Sequence, residues 1–217
     1  MKIVAIGGSP RGKESQTNVL AERLLAAARM KGASTESVDL CQLQVGFCRA
    51  CEICHQKPDC VLNDDGNRVM AKLLDADGIV LASPVYLNQV TAQMKTLLDR
   101  TSHFIHCLRL QGKYMAAVTT SGGGGGGEVQ TYLKSYAHMV GAQFVGGVDV
   151  KAPLKEEDLS AAADLGAALI AAIQDKTEYI DQQDAIEQRK KYFALIMAFR
   201  KDHWPYEHQY WRNQGWL

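Results

Sequence analysis

What the chain lacks narrows the field first. It has no surplus charge, since 24 Lys and Arg stand against 24 Asp and Glu. A balanced surface exerts no long-range pull on nucleic acid or on an anionic membrane, so neither is expected as a partner. No apolar run approaches the roughly 20 residues that span a bilayer, and the stretch opening MKIVAIGGSPRG is too short for a secretion signal. A reducing, cytoplasmic setting is therefore expected. Tryptophan is scarce, and all three copies fall in the tail DHWPYEHQYWRNQGW. So aromatic a segment is costly to leave in water, and it should pack on the body of the chain or, slightly favoured, on a second subunit. His203 and His208 in that tail read as polar tips of the packing.

Cysteine is also uncommon, yet four of the six lie within thirteen residues: Cys48, Cys51, Cys54 and Cys60, in FCRACEICHQKPDC. Two overlapping C-x-x-C steps bring three thiolates round one short loop, and a fourth returns after five residues. Such a set can hold an iron–sulfur cubane. The bacterial ferredoxin run starts alike, but its fourth cysteine comes after three residues and leads into proline; here Pro58 precedes Cys60. The spacing thus points to cluster chemistry in general. Zinc is an alternative, although four-cysteine zinc sites usually join two well-separated pairs. Disulfides, metal-free thiols and a thioredoxin-type pair are others, the last leaving two cysteines unexplained. Cys41 and Cys107 read as small buried hydrophobes. His103, His106 and Cys107 spell H-x-x-H-C, a metal spacing with no further ligand nearby in the sequence.

Along the chain, strands alternate with helices. Apolar runs predict strands at Lys2–Ile6, Thr35–Leu40, Gly78–Ser83, Tyr114–Thr119 and Gln143–Val150. Helical spacing covers Thr17–Met30, Asn67–Leu74, Thr91–Phe104, Leu159–Ile173 and Asp181–Lys201. The third strand is apolar throughout, as in a sheet covered on both faces. This rhythm predicts an α/β fold: a doubly wound, five-stranded parallel sheet with helices on both faces, plus a C-terminal helix and aromatic tail. The main unit spans residues 1–176, with the cysteine loop at 47–60, and the extension spans 177–217.

A doubly wound sheet binds its ligand at the carboxyl ends of its strands. After the first strand, GGSPRGKESQTN opens a helix whose N–H groups and dipole favour a phosphate. Ser9, Ser15, Gln16, Thr17 and Asn18 supply donors there, and Arg11 supplies charge. Gly7–Lys13 imitates the start of a nucleotide-triphosphate loop, but Glu14 stands where Ser or Thr must hold Mg²⁺, and Pro10 removes a backbone donor. A monophosphate fits better. After the third strand, SPVYLNQV offers Pro84, Val85, Tyr86, Leu87 and Asn88 to a flat ring. After the fourth, TTSGGGGGG offers Thr119, Ser121, Gly122 and Gly123 with close backbone approach. A flexible linker is the alternative for six glycines.

With GSPR, T-N-x-L, SPVY and a Lys-x-x-x-Asp-Arg helix (Lys95, Asp99, Arg100), the chain resembles the NAD(P)H-dependent FMN reductases of flavodoxin-like fold. The cysteine loop followed by Asp64-Asp65 is similar to the iron–sulfur flavoproteins within that group. The resemblance runs through roughly residues 1–150 and is loose beyond. It implies FMN, with the phosphate at Ser9, Arg11, Gln16, Thr17 and Asn18, and the isoalloxazine against Pro84–Asn88 and the Thr119–Gly123 loop. It implies NAD(P)H as a co-substrate and a homodimer or homotetramer. The flavin would carry the chemistry, with no protein catalytic group needed and Tyr86 and Asn88 as ring contacts. Electrons would pass between NAD(P)H or a ferredoxin-like donor and a small-molecule acceptor through FMN and a [4Fe–4S] cluster held by Cys48, Cys51, Cys54 and Cys60. A plain flavin or quinone reductase without a cluster, and a non-enzymatic flavodoxin-like carrier, are the other readings.

Overall fold

The computed structural model describes residues 1–217, apart from the side chain of Lys13. Five strands, β1 (Lys2–Gly7), β2 (Ser34–Asp39), β3 (Gly78–Pro84), β4 (Tyr114–Ser121) and β5 (Gln143–Lys151), form one sheet in the order β2-β1-β3-β4-β5. Every pairing is parallel. The chain leaves β1 toward one edge and returns toward the other through β3, so the switch point lies at the carboxyl ends of β1 and β3.

The period of two along β1 divides its side chains between two cores. Ile3 and Ala5 join the layer under α1 (Gln16–Met30) and α6 (Glu156–Asp175). Val4 and Ile6 face the layer built with α2 (Asp65–Asp75), α3 (Ala92–Arg100) and α5 (Gly126–Met139). Each fully buried Ile or Leu contributes about 1.5–3 kcal/mol, and β3 is buried along GIVLAS because both layers cover it. Gly166 lets α6 lie close on α1, since a Cβ there would stand 2.4 Å from the Leu24 carbonyl oxygen.

Three elements depart from the sequence expectation. The predicted helix over 91–104 breaks at Thr101 into α3 and α4 (Ser102–His106), where the Thr101 hydroxyl bonds the Leu98 carbonyl and the Tyr136 hydroxyl, both at 2.7 Å. The last glycines of the six open α5, a helix that their composition concealed. Pro205 starts a short helix, α8 (Pro205–Asn213), inside what reads as a tail. With α7 (Ile180–Phe199), α8 packs on the body of its own chain. Phe193, Met197 and the fully buried Trp211 close over Cys107 and Leu108, and the Trp211 indole N–H donates to the His106 carbonyl at 3.0 Å. No helix among the described residues is long and apolar enough to cross a membrane.

Candidate functional site

Three strand-to-helix loops meet at the switch point. In the first, Ser15 caps α1, its hydroxyl accepting from the Asn18 N–H at 3.2 Å. In the second, Tyr86 and Gln89 exchange backbone hydrogen bonds at 2.9 and 3.0 Å, which forces Leu87 and Asn88 into the left-handed region at φ 50° and 58°. In the third, the Val85 N–H donates to the Thr120 carbonyl at 2.8 Å and the Ala152 N–H to the Ser121 carbonyl at 2.8 Å. The loops enclose a cavity of about 160 Å³. Ser9, Arg11, Ser15, Gln16 and Thr17 line one side; Pro84, Val85, Tyr86, Ser121 and Gly122 line the other, together with Thr120 and Ala152.

Sequence reasoning missed Ala152 and gave Thr120 only as one residue of the Thr119–Gly123 loop; in the structure the Thr120 hydroxyl lies 2.5 Å from that of Thr17 on α1. Several expected contacts are absent from this wall. Asn18 turns its amide to the Gly12 carbonyl at 2.9 Å and holds the loop from behind. The Thr119 hydroxyl donates to Asp149 at 2.7 Å, inside the sheet. Leu87 is fully exposed at the turn tip. Asn88 packs on Gly125, where a Cβ would meet its Oδ1 at 2.4 Å, and Gly123 has open space about it. The glycine run is therefore part loop, part helix start. Gly126 has no room for a Cβ, which would stand 1.8 Å from Asp149 Oδ1.

The four clustered cysteines line a second, larger cavity of about 280 Å³, with Arg100, Ser102, His55 and His106. All six cysteines are free, and Cys48 and Cys51 are exposed while Cys54 and Cys60 are half-buried. Local backbone shape explains how so short a loop turns its thiols to one side. Ala50 and Glu52, on either side of Cys51, adopt φ 48° and 58°, which costs non-glycine residues about 1–2 kcal/mol each. Cys54 then sits in a tight turn at Ile53–His55.

The loop is closed at its stem. The Gln44 N–H donates to Asp65 at 2.9 Å, the Asp65 N–H to the Gln44 carbonyl at 3.0 Å, and the Gly46 N–H to Asp64 at 2.9 Å. Across the stem the buried guanidinium of Arg100 donates to both oxygens of Asp64, at 2.7 and 3.1 Å, and to the Gly46 carbonyl at 3.0 Å. Burial alone would raise the Asp64 carboxyl; its bonds from Arg100, Gly46 and Gly66 outweigh this and hold it below the ordinary range.

The donor set suits a metal cluster held by thiolates. Four thiols share one cavity, and Arg100 Nε–H is buried there with no partner among the described residues. A charged donor left over beside sulfur ligands is what a sulfide- or thiolate-rich group would satisfy. Burial, followed by the nearby Glu207, Cys60 and Cys48, pushes the Cys54 thiol up to about 11, so a thiolate there requires a compensating positive charge.

The remaining sequence-level cysteine and histidine expectations divide. Cys107 is buried as expected, its thiol raised by burial and then by Glu207. Cys41 is only half-buried, with the Gln42 amide 3.4 Å from its sulfur. His103 and Cys107 do not converge with His106 on a metal. His106 instead meets His55 and Glu207, both distant in sequence, which supply the neighbours that the H-x-x-H-C stretch lacked.

A parallel doubly wound sheet with a donor-rich cavity and an apolar wall of Pro84, Val85 and Tyr86 at its switch point is the arrangement of the flavodoxin-like, flavin-dependent oxidoreductases. The chain belongs to the NADPH-dependent FMN reductase family, whose model matches residues 1–157. Its relatives include proteins named iron–sulfur flavoprotein. It is 29% identical over 222 residues to one from Archaeoglobus fulgidus, with 100% of both chains covered. It is 36% identical over 118 residues to one from Methanocaldococcus jannaschii, covering 54% of this chain and 61% of that one. A solved flavone reductase superposes with a TM-score of 0.67 at 19% identity, covering 81% of this chain and 64% of the other, which supports the shared fold.

Proposed function

We propose that the protein carries electrons between NAD(P)H or a ferredoxin-like donor and a small-molecule acceptor, with FMN in the switch-point cavity and a [4Fe–4S] cluster on Cys48, Cys51, Cys54 and Cys60. The observation that carries this reading is the second cavity, where four free thiols share the lining with Arg100, whose buried Nε–H has no hydrogen-bond partner among the described residues and whose guanidinium lies beside Cys60. When bound, FMN supplies two-electron hydride chemistry and one-electron release, and the cluster supplies one-electron transfer.

The chain's own groups then have distinct tasks. Ser9, Ser15, Gln16 and Thr17 line the side nearest the start of α1, where N–H groups and dipole favour a phosphate, and Arg11 adds charge. Pro84, Val85 and Tyr86 form the apolar wall for the ring, and Ser121 and Gly122 offer close backbone on the other loop. Asn18 and Thr119 hold the loops rather than the ligand. Arg100 offsets negative charge on the thiolates and fastens both ends of their loop. The name carried by these relatives, iron–sulfur flavoprotein, supports the same assignment.

Protein purified without oxygen, examined by absorption and by iron and acid-labile sulfide analysis, tests it. Flavin bands over a broad sulfide-to-iron absorption, with about four irons per chain, are expected. Flavin without iron after anaerobic reconstitution would reduce the reading to a plain reductase, and absence of flavin would remove both.

A further inference from the structure

The family match ends at residue 157, yet α8, well beyond it, reaches the cysteine loop. Glu207 on α8 is fully buried. Its Oε1 lies 2.9 Å from Nδ1 of His55 and 3.3 Å from Nδ1 of His106. His55 directly follows Cys54 in the same tight turn. Trp204, at the start of α8, stacks on both imidazoles, with centroids 4.2 Å from His55 and 4.9 Å from His106. Both imidazoles line the cavity that the four cysteines line.

A buried carboxylate only accepts, so the two short contacts are made by Nδ1–H donors. That fixes each ring's tautomer and orientation, and it leaves each Nε2 unpaired within the chain among the described residues. The alternative is one metal ion held by His55, His106 and Glu207, whose ligand atoms all lie within 4.8 Å of one another. The distances favour hydrogen bonds: ligand atoms of one tetrahedral zinc, each about 2.0–2.1 Å from it, stand about 3.3 Å apart, whereas His55 Nδ1 approaches Glu207 Oε1 to 2.9 Å, the length of an N–H···O bond.

We propose that Glu207 is a positioning residue of the cysteine site: through His55, and with Trp204 against the ring, it holds the Cys54 turn in place, so the C-terminal extension is part of the cluster-holding apparatus. This deepens the functional reading above and rests on it. It also assigns a task to the aromatic tail, which otherwise only covers Cys107 and Leu108. Carboxylates that orient groups around a metal centre typically change metal retention about 10–100-fold when removed.

The test compares the full chain with Glu207→Gln, His55→Ala and His55→Asn, all reconstituted anaerobically. It reads iron per chain, the rate of iron loss to a chelator and the low-temperature EPR spectrum of the reduced protein. Bound FMN serves as the folding control, because its cavity is separate. Glu207→Gln and His55→Ala are expected to lose iron about 10-fold or more faster with an altered EPR spectrum. His55→Asn, whose amide can still donate to Glu207, is expected to recover most of the retention. Unchanged retention and spectrum in Glu207→Gln would overturn the proposal while leaving the cluster reading intact. Stoichiometric zinc bound to the wild type and lost in Glu207→Gln would overturn it in favour of a separate metal site. A wild type that takes up no iron would overturn the functional reading itself.

Discussion

Arg11 is exposed at the cavity margin, where its charge meets solvent as well as any ligand. Arg11→Ala should therefore weaken FMN by about tenfold, the equivalent of roughly 1.4 kcal/mol. Riboflavin, which lacks the phosphate, should be little affected, and fluorescence titration with both ligands separates the two. Cys54→Ala should drop iron well below about four per chain while bound FMN is retained. His103 makes a different prediction. Burial, then the positive charge of Arg109, lowers it from 6.5 to about 4. Its folded pKa lies below its unfolded one, so protonation favours unfolding. The associated stability is complete above about pH 6.5 and drains as pH falls toward 4. At about 1.4 kcal/mol per unit the loss is roughly 3 kcal/mol. His138, lowered by burial, adds to the same limb. Urea midpoints measured between pH 7 and 4.5 should fall in the wild type and fall less steeply in His103→Phe.

At the scale of elements, one ion pair crosses the stem of the cysteine loop. Arg100→Met would leave the Asp64 carboxylate mostly buried without its cation, and breaking such a pair costs about 3–5 kcal/mol. Urea unfolding of the iron-free protein should show that loss, which separates it from any effect of metal. The sequence conveyed β1 and β3 well, because buried parallel strands are continuous apolar runs, and the helices α1, α6 and α7 followed from their spacing. It concealed α5 because glycines at a helix start look like loop, although Gly126 is there to clear Asp149. Within the switch-point cavity the first loop was legible because its donors cluster in sequence. Thr120 was legible only as part of the Thr119–Gly123 loop, and Ala152 was not legible, since its place depends on a hydrogen bond across two loops. The meeting of His55, His106 and Glu207 was equally hidden, because 152 residues separate His55 from Glu207.

For the whole molecule, burial leaves Tyr192, Leu195 and Phe199 exposed on a single side of α7. The proposed homodimer or homotetramer would cover such a stripe. Sedimentation should give a mass above 23.8 kDa for the wild type, and Leu195→Glu with Phe199→Glu should shift it toward the single chain. The stem of the cysteine loop has a wider consequence. Gln44 and Asp65 are backbone neighbours, so the chain departs from the sheet scaffold and re-enters it at almost one place. A segment inserted at such a point can appear or vanish over generations without rearranging either core. Its histidine, however, is gripped by a helix 152 residues further along the chain. A lineage acquiring such a cysteine loop would thus need two additions, the loop and its distant brace, and a lineage losing one would free the other to drift.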